Sequence, residues 1–254
     1  MELKEIIGPH MLQKYVAEFL GTFALVFIGC GARAIVGDTS NFAGIMLVHF
    51  TFGLTVAAMI YTFGRISGAI INPALTLGFA VSRRFPWCLV LPYWLVQLAG
   101  ASFASFLHLI LLGNKAVAVH FGATLPKAGI GVALVLEFIL TFFLMLVNMA
   151  TATDRRVNSS AAGIAVGFTI LACGLFGNSL SGASMNPARS LGPALFAGGQ
   201  ALATTWIYIV APLAGALLAA LLYELIRGDE EEAKLVVEDV PARREDGDRQ
   251  KLSS

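Results

Sequence analysis

A chain of 254 residues that is 57% hydrophobic and only 13% charged departs far from soluble domains, where about a quarter of residues are charged, and it reads as a membrane protein. A formal net charge of +1 with no basic stripe outside short loops excludes nucleic acid as a partner. Charge gathers at the end instead, with nine of the 16 acidic residues beyond Arg227.

In chain order, residues 1–10 lack the apolar core and small-residue cleavage site of a secretory leader, so the first apolar run is read as a retained span. A hydrocarbon core of about 30 Å needs roughly 20 apolar residues as a helix. Six runs meet that demand, at 16–36, 43–63, 88–112, 131–150, 161–180 and 202–226. Lys4, Lys14, Arg65, Arg83, Arg84, Arg155, Arg156 and Arg227 then fall on one side, with Lys115 and Lys127 on the other. The positive-inside rule places both termini in the cytoplasm. Two further apolar runs, 72–81 and 186–197, cover only about 15 Å as helices, half the bilayer core, and are predicted to be re-entrant half-helices. Residues 227–254 are polar and carry no aromatic residue, so they are expected to form a disordered cytoplasmic tail outside a channel-like domain at 1–226. Cys30, Cys88 and Cys173 lie in or beside apolar runs without a close pair. Each is expected to be a small buried hydrophobe, with no metal site and no cofactor.

The two halves, about 14–112 and 130–226, repeat. Gly53 and Gly167, Ser67-Gly68-Ala69 and Ser181-Gly182-Ala183, Asn72-Pro73-Ala74 and Asn186-Pro187-Ala188, and Gly78 and Gly192 are each 114 residues apart. Glu18-Phe19 and Thr22-Phe23 recur as Glu137-Phe138 and Thr141-Phe142 at an offset of 119. Three spans per half is an odd number, so the second copy enters the membrane from the opposite face and the repeat is inverted. The predicted fold is therefore an all-α membrane protein of six transmembrane helices and two re-entrant half-helices in an inverted 3+3 arrangement.

In Asn-Pro-Ala the asparagine caps a helix and the proline sits where its missing N–H costs nothing. One copy signals only a good helix start, and a given tripeptide arises by chance in about one chain in thirty of this size. Two copies in register mark a site. Half-helix amino termini, each with about +0.5 charge, would meet at the membrane centre and repel cations. The carboxamides of Asn72 and Asn186 would offer hydrogen bonds to a passing oxygen without holding it tightly. Asn72, Pro73, Ala74, Asn186, Pro187 and Ala188 are thus the expected central constriction.

Paired motifs at 67–76 and 181–190 within six spans resemble the major intrinsic protein family of aquaporins and glycerol facilitators. The resemblance covers about residues 15–226. Arg84-Phe85-Pro86-Trp87 and the run 181–194 look closest to its nodulin-26-like branch and bacterial relatives. It implies an aquaporin-like fold, a passive channel for water and small uncharged solutes that excludes ions and protons, a homotetramer in membrane lipid with one pore per subunit, and residence in the plasma membrane. It also implies an outer selectivity filter of Phe52, Gly174, Ala183 and Arg189. A charge in an apolar re-entrant segment costs an estimated 2.5–3.5 kcal/mol, so Arg189 needs a reason to be there, in the pore or in an ion pair. Water-selective relatives usually carry histidine where Gly174 stands, and its absence predicts a wider passage. Glycerol facilitators usually follow the arginine with aspartate, whereas Ser190 follows here. The mixed pattern implies glycerol, urea, or neutral hydroxides such as boric and arsenous acid, with a water-selective pore as the alternative.

Glu18 and Glu137 occupy matching positions in buried spans, where a bare carboxylate is expensive. They are read as braces accepting backbone N–H groups of the re-entrant loops, in preference to a proton relay. Ile70 stands where the family usually has histidine, so a vestibular hydrogen bond is expected to be missing. His49, one turn before Phe52, either faces the outer vestibule or bonds a neighbouring helix. Gly53, Gly100, Gly167 and Gly215 are expected at close helix crossings, and Trp94 and Trp206 on faces toward lipid or other subunits. A coupled secondary transporter would need acids in its spans beyond this matched pair. An enzyme would need a catalytic constellation, and the chain has neither a Gly-x-Ser-x-Gly elbow nor a His-Glu-x-x-His pair.

Overall fold

The computed structural model describes residues 8–37, 41–153 and 159–228. Lys4, Arg155, Arg156 and the charged tail beyond Gly228 lie outside the described residues. Eight helices carry the architecture: α1 (Pro9–Val36), α2 (Phe42–Ser67), α3 (Pro73–Val81), α4 (Val90–Leu112, entered through a 3-10 turn at Trp87–Leu89), α5 (Ile130–Thr153), α6 (Ala162–Gly177), α7 (Pro187–Ala197) and α8 (Ile207–Ile226). Single helical turns at Asn114–Ala118, His120–Gly122 and Gly199–Ala203 fill the connections.

Among the described residues, five helices have the length and apolarity to cross a membrane. The fifth predicted span is the shorter α6, only 16 residues long, or about 24 Å. It stops early because the Gly177 carbonyl collects the N–H groups of Leu180 (3.1 Å), Ser181 (2.9 Å) and Gly182 (3.3 Å), which turns the chain into the second re-entrant loop. The sixth begins at Ile207, later than predicted, after the turn at Gly199–Ala203. Cys88 also differs from expectation: it is exposed, because the 3-10 turn that starts α4 points it outward, while Cys30 is buried and Cys173 half-buried.

The half-helices begin where the sequence places them. Asn72 Oδ1 accepts from Ala74 N at 2.9 Å, and Asn186 Oδ1 accepts from Ala188 N at 3.0 Å and Arg189 N at 3.2 Å. Each cap satisfies donors at a helix start that has no lipid-side partner, and Pro73 and Pro187 occupy the first helical position.

Glycine sets the close crossings. A Cβ on Gly100 of α4 would fall 2.4 Å from the Phe19 carbonyl oxygen of α1, and one on Gly215 of α8 would fall 2.2 Å from that of Phe138 in α5. Phe19 and Phe138 are repeat partners, so the same contact is made once in each half. Gly53 and Gly167 join the halves, each Cβ position lying 2.6 Å from the other's carbonyl oxygen. Backbone cannot yield as a side chain does. Gly53→Val is therefore expected to separate α2 from α6 and abolish recovery of monodisperse protein in size-exclusion chromatography, whereas Gly64→Val, near only the Ile60 side chain, is expected to be recovered normally. Away from the core, Leu54, Val135, Phe168 and Leu225 are more than half exposed, as lipid-facing or subunit-facing surfaces require.

Candidate functional site

The re-entrant loops are built alike from alternating unusual backbone. Gly68, Ala69 and Ile71 in the first, and Gly182, Ala183 and Met185 in the second, have positive φ, between 44° and 93°. For the four non-glycine residues this conformation costs on the order of 1–3 kcal/mol each and persists only where the surroundings impose it. The imposing groups are the two glutamates. Glu18 Oε1 accepts from Ser67 Oγ (2.7 Å) and Ile70 N (2.9 Å), while Oε2 accepts from Ile71 N (2.7 Å) and Gln97 Nε2 (2.8 Å). Glu137 Oε1 accepts from Ser181 Oγ (2.7 Å) and Ser184 N (2.8 Å), and Oε2 from Met185 N (2.8 Å). Both carboxylates are fully buried and hold no ion pair among the described residues. Each of their oxygens accepts at least one bond from a donor that lipid could not satisfy.

Tyr93 and Tyr208 were not singled out from sequence, yet each completes one brace by donating to the Ser67 carbonyl (3.0 Å) or the Ser181 carbonyl (2.7 Å). Their offset of 115, one from that of the serines, is the signal a closer self-comparison would have found.

The half-helices meet through a reciprocal clasp. Asn72 Nδ2 donates to the Met185 carbonyl at 2.8 Å, and Asn186 Nδ2 donates to the Ile71 carbonyl at 2.9 Å. A carboxamide has two N–H donors, so each asparagine spends its oxygen on the cap and one hydrogen on the opposite loop, and keeps one N–H for the lumen. A single cavity takes in both asparagines. It runs from Ile60 and Asn148, toward the end of the molecule that holds Arg65, past Leu75 and Val166, to Phe52 and Arg189. Most of the lining is aliphatic, and Asn72, Asn148, Ser184, Asn186, His49 and Arg189 supply its polar side chains. Ile70 is among the aliphatic lining residues.

At the opposite end of the cavity Arg189 is 5% exposed. Its Nη1 donates to the Gly122 carbonyl at 2.8 Å, and its guanidinium lies 4.8 Å from the centre of the Phe52 ring. That is cation–π range, and no acid among the described residues pairs with it. The Gly122 contact was invisible in sequence because the 119–129 connection carries no periodicity. The same connection supplies Thr124, whose hydroxyl bonds Ser190 Oγ at 2.8 Å, and Ser190 in turn bonds the Ser184 hydroxyl. Lys127 Nζ donates to the Asn178 carbonyl at 2.9 Å. Burial first, then the nearby Arg33 charge, lower the Lys127 pKa to about 8, so this cation begins to lose its proton at mildly alkaline pH.

Phe52, Ala183 and Arg189 all border the cavity, but Gly174 does not. The gap expected beside it is filled: a Cβ there would lie 2.1 Å from His49 Nδ1 and 2.4 Å from Cγ. His49 both lines the cavity and bonds a neighbouring helix end, through Nε2 and Asn178 Oδ1 at 3.1 Å. The other predicted side chains sit outside the lumen. Trp94 Nε1 donates to the Pro73 carbonyl at 3.0 Å, and Trp206 is 46% exposed.

Two inverted copies whose capped half-helices meet beside one cavity lined by Asn72 and Asn186 have the architecture of a membrane channel. Comparison with known proteins gives the same class. The model of the family described as "Major intrinsic protein" matches residues 5–223. Aquaporin NIP1-1 of Oryza sativa subsp. japonica is 46% identical over 219 residues, 85% of this chain and 75% of that protein. Nodulin-26 of Glycine max is 42% identical over 223 residues, 87% and 80% of the two chains. Among solved structures, the aquaglyceroporin from Plasmodium falciparum superposes with a TM-score of 0.77 at 25% identity, covering 88% of this chain and 99% of that one. The chain belongs to the major intrinsic protein family. It is an integral membrane protein and a passive channel for water and small solutes, not an enzyme.

Proposed function

We propose that the channel passes water and neutral solutes up to about the size of glycerol, with urea, boric acid and arsenous acid in the same class, and excludes ions and protons. The carrying observation is the single cavity that joins Asn72 and Asn186 to Phe52, Ala183 and Arg189 without an acidic side chain on its wall. In this reading Asn72, Pro73, Ala74, Asn186, Pro187 and Ala188 form the central constriction. Phe52, Ala183 and Arg189, with the Gly174 position behind them, form the outer filter, and Glu18 and Glu137 hold both loops. Two half-helix amino termini and one arginine along the route raise the energy of any cation, while a neutral hydroxyl or amide exchanges water contacts for the spare asparagine N–H groups.

The functional unit in this reading is a homotetramer in the plasma membrane with both termini cytoplasmic. Arg65, Arg83 and Arg84 at one end against Lys115 and Lys127 at the other support the orientation. The exposed apolar surfaces on α2, α5 and α6 supply the material of subunit contacts. A water-selective pore is the second reading, favoured by the His49 ring that occupies the space beside Gly174.

Stopped-flow light scattering on proteoliposomes tests both. Water and glycerol permeabilities are expected above those of protein-free vesicles, and urea and boric acid are measured in the same way. Glycerol flux at background with water flux intact would establish the water-selective reading.

A further inference from the structure

The two aromatic rings at the outer end of the lumen are each seated on a glycine of another helix. A Cβ on Gly29 of α1 would lie 2.2 Å from Phe52 Cε1, and one on Gly174 of α6 would lie 2.1 Å from His49 Nδ1. Real Cβ atoms do not approach that closely, so each ring depends on the missing side chain opposite. His49 and Phe52 leave α2 one turn apart, and their ring centres are 6.0 Å apart with an angle of 29° between planes. The Arg189 guanidinium lies 4.8 Å from the centre of the Phe52 ring.

The imidazole is also fixed at its tip. Its Nε2 meets Asn178 Oδ1 at 3.1 Å, and a carbonyl oxygen only accepts, so Nε2 carries the hydrogen. Asn178 is held in turn by its backbone bond to the Gly174 carbonyl at 3.0 Å and by Lys127 at its own carbonyl. A buried ring with a socket, a tip partner and a neighbouring ring has little rotamer freedom, as a group that sets a pore width must.

We propose that His49 is a specificity-determining residue of the outer filter, an imidazole wall delivered by the second span, and that Gly174 serves as its socket rather than as an open notch. The proposal rests on the channel reading above and adds what decides its size limit. The imidazole lines the same cavity as Phe52, Ala183 and Arg189, so the filter is narrower and more polar than Phe52, Gly174, Ala183 and Arg189 alone make it. Solutes bulkier than glycerol are rejected at His49, and cutting this side chain back opens the passage toward α6.

The test measures water, glycerol and the four-carbon polyol erythritol by stopped-flow on proteoliposomes. Wild type is compared with His49→Ala, with His49→Asn, which shortens the side chain but keeps a polar group toward Asn178, and with Gly174→Ala alone and combined with His49→Ala. Truncation is expected to raise the erythritol-to-water ratio about tenfold, the order of discrimination that a methylene-sized change in a site gives. Gly174→Ala alone is expected to lower the yield of monodisperse protein, because its Cβ collides with the imidazole, and adding His49→Ala is expected to restore that yield. A merely structural histidine would not move the solute ratio. An unchanged ratio in His49→Ala and His49→Asn, with water flux retained, overturns the proposal. If His49→Ala is poorly recovered, His49→Asn carries the same comparison. Wild type without flux of any solute, water included, would instead overturn the channel reading itself.

Discussion

Glu137→Ala is expected to yield almost no monodisperse protein from detergent extracts, and Glu18→Ala the same. Removing the Glu137 carboxylate strands Ser181 Oγ, Ser184 N and Met185 N in a fully buried site. A buried donor left without a partner costs about 1–3 kcal/mol, so three of them approach the whole stability of an ordinary domain, about 5–15 kcal/mol. The left-handed residues Ala183 and Met185 would also lose the group that imposes their conformation. Glu18→Ala strands four donors, including the Gln97 amide. Glutamine at either position keeps one acceptor oxygen and sets an NH2 against the other N–H, so intermediate recovery is expected. Fluorescence-detected size-exclusion chromatography measures all four variants. Normal recovery of Glu137→Ala would show that the loop does not need the carboxylate. Any Gln variant that assembles is expected to conduct without dependence on a proton gradient, which separates a brace from a coupling site.

Arg189→Ala is expected to raise glycerol flux several-fold and to admit a measurable cation and proton leak. The side chain spans from the Gly122 carbonyl to the face of Phe52, so its loss widens the outer end while removing the one cation that lines the cavity among the described residues. Two unit charges 4 Å apart at an effective dielectric of about 20 interact by about 4 kcal/mol, which caps the gain in cation passage at about a thousandfold. The opposed half-helix ends remain, each near +0.5 charge, so the leak should stay far below the neutral flux. Vesicles loaded with a pH-sensitive dye, together with planar-bilayer currents, provide the measurement. A variant as tight to ions as wild type would place ion exclusion wholly at the membrane centre.

The features legible in the sequence were those written twice. The start of each half-helix, the glycine crossings and the glutamate pair appear at fixed offsets, and duplication turns a weak local signal into a strong one. A single copy of Asn-Pro-Ala would have predicted only a capped helix. Contacts that exist once and join distant segments were not legible: Gly122 with Arg189, Thr124 with Ser190, Lys127 with Asn178. They lie in a connection whose course is set by what it lands on. Gly174 shows a subtler limit. Its missing side chain points to a wider passage, but periodicity does not reveal that the His49 ring takes up the space beside it. Helix α6 ended early for a similar reason, since the Gly177 carbonyl that turns the chain looks apolar and continuous in the sequence.

The clasp between Asn72 and Met185 and between Asn186 and Ile71 bears on how such a chain matures. During synthesis the amino-terminal half emerges with an amide hydrogen and a carbonyl that nothing yet answers, and both stay unmatched until the carboxyl-terminal half arrives from the other leaflet. Neither piece is a small working version of the whole. A chain severed in the connection near Gly113 should regain transport only when the two fragments are made in the same cell, each acting as the template on which the other closes.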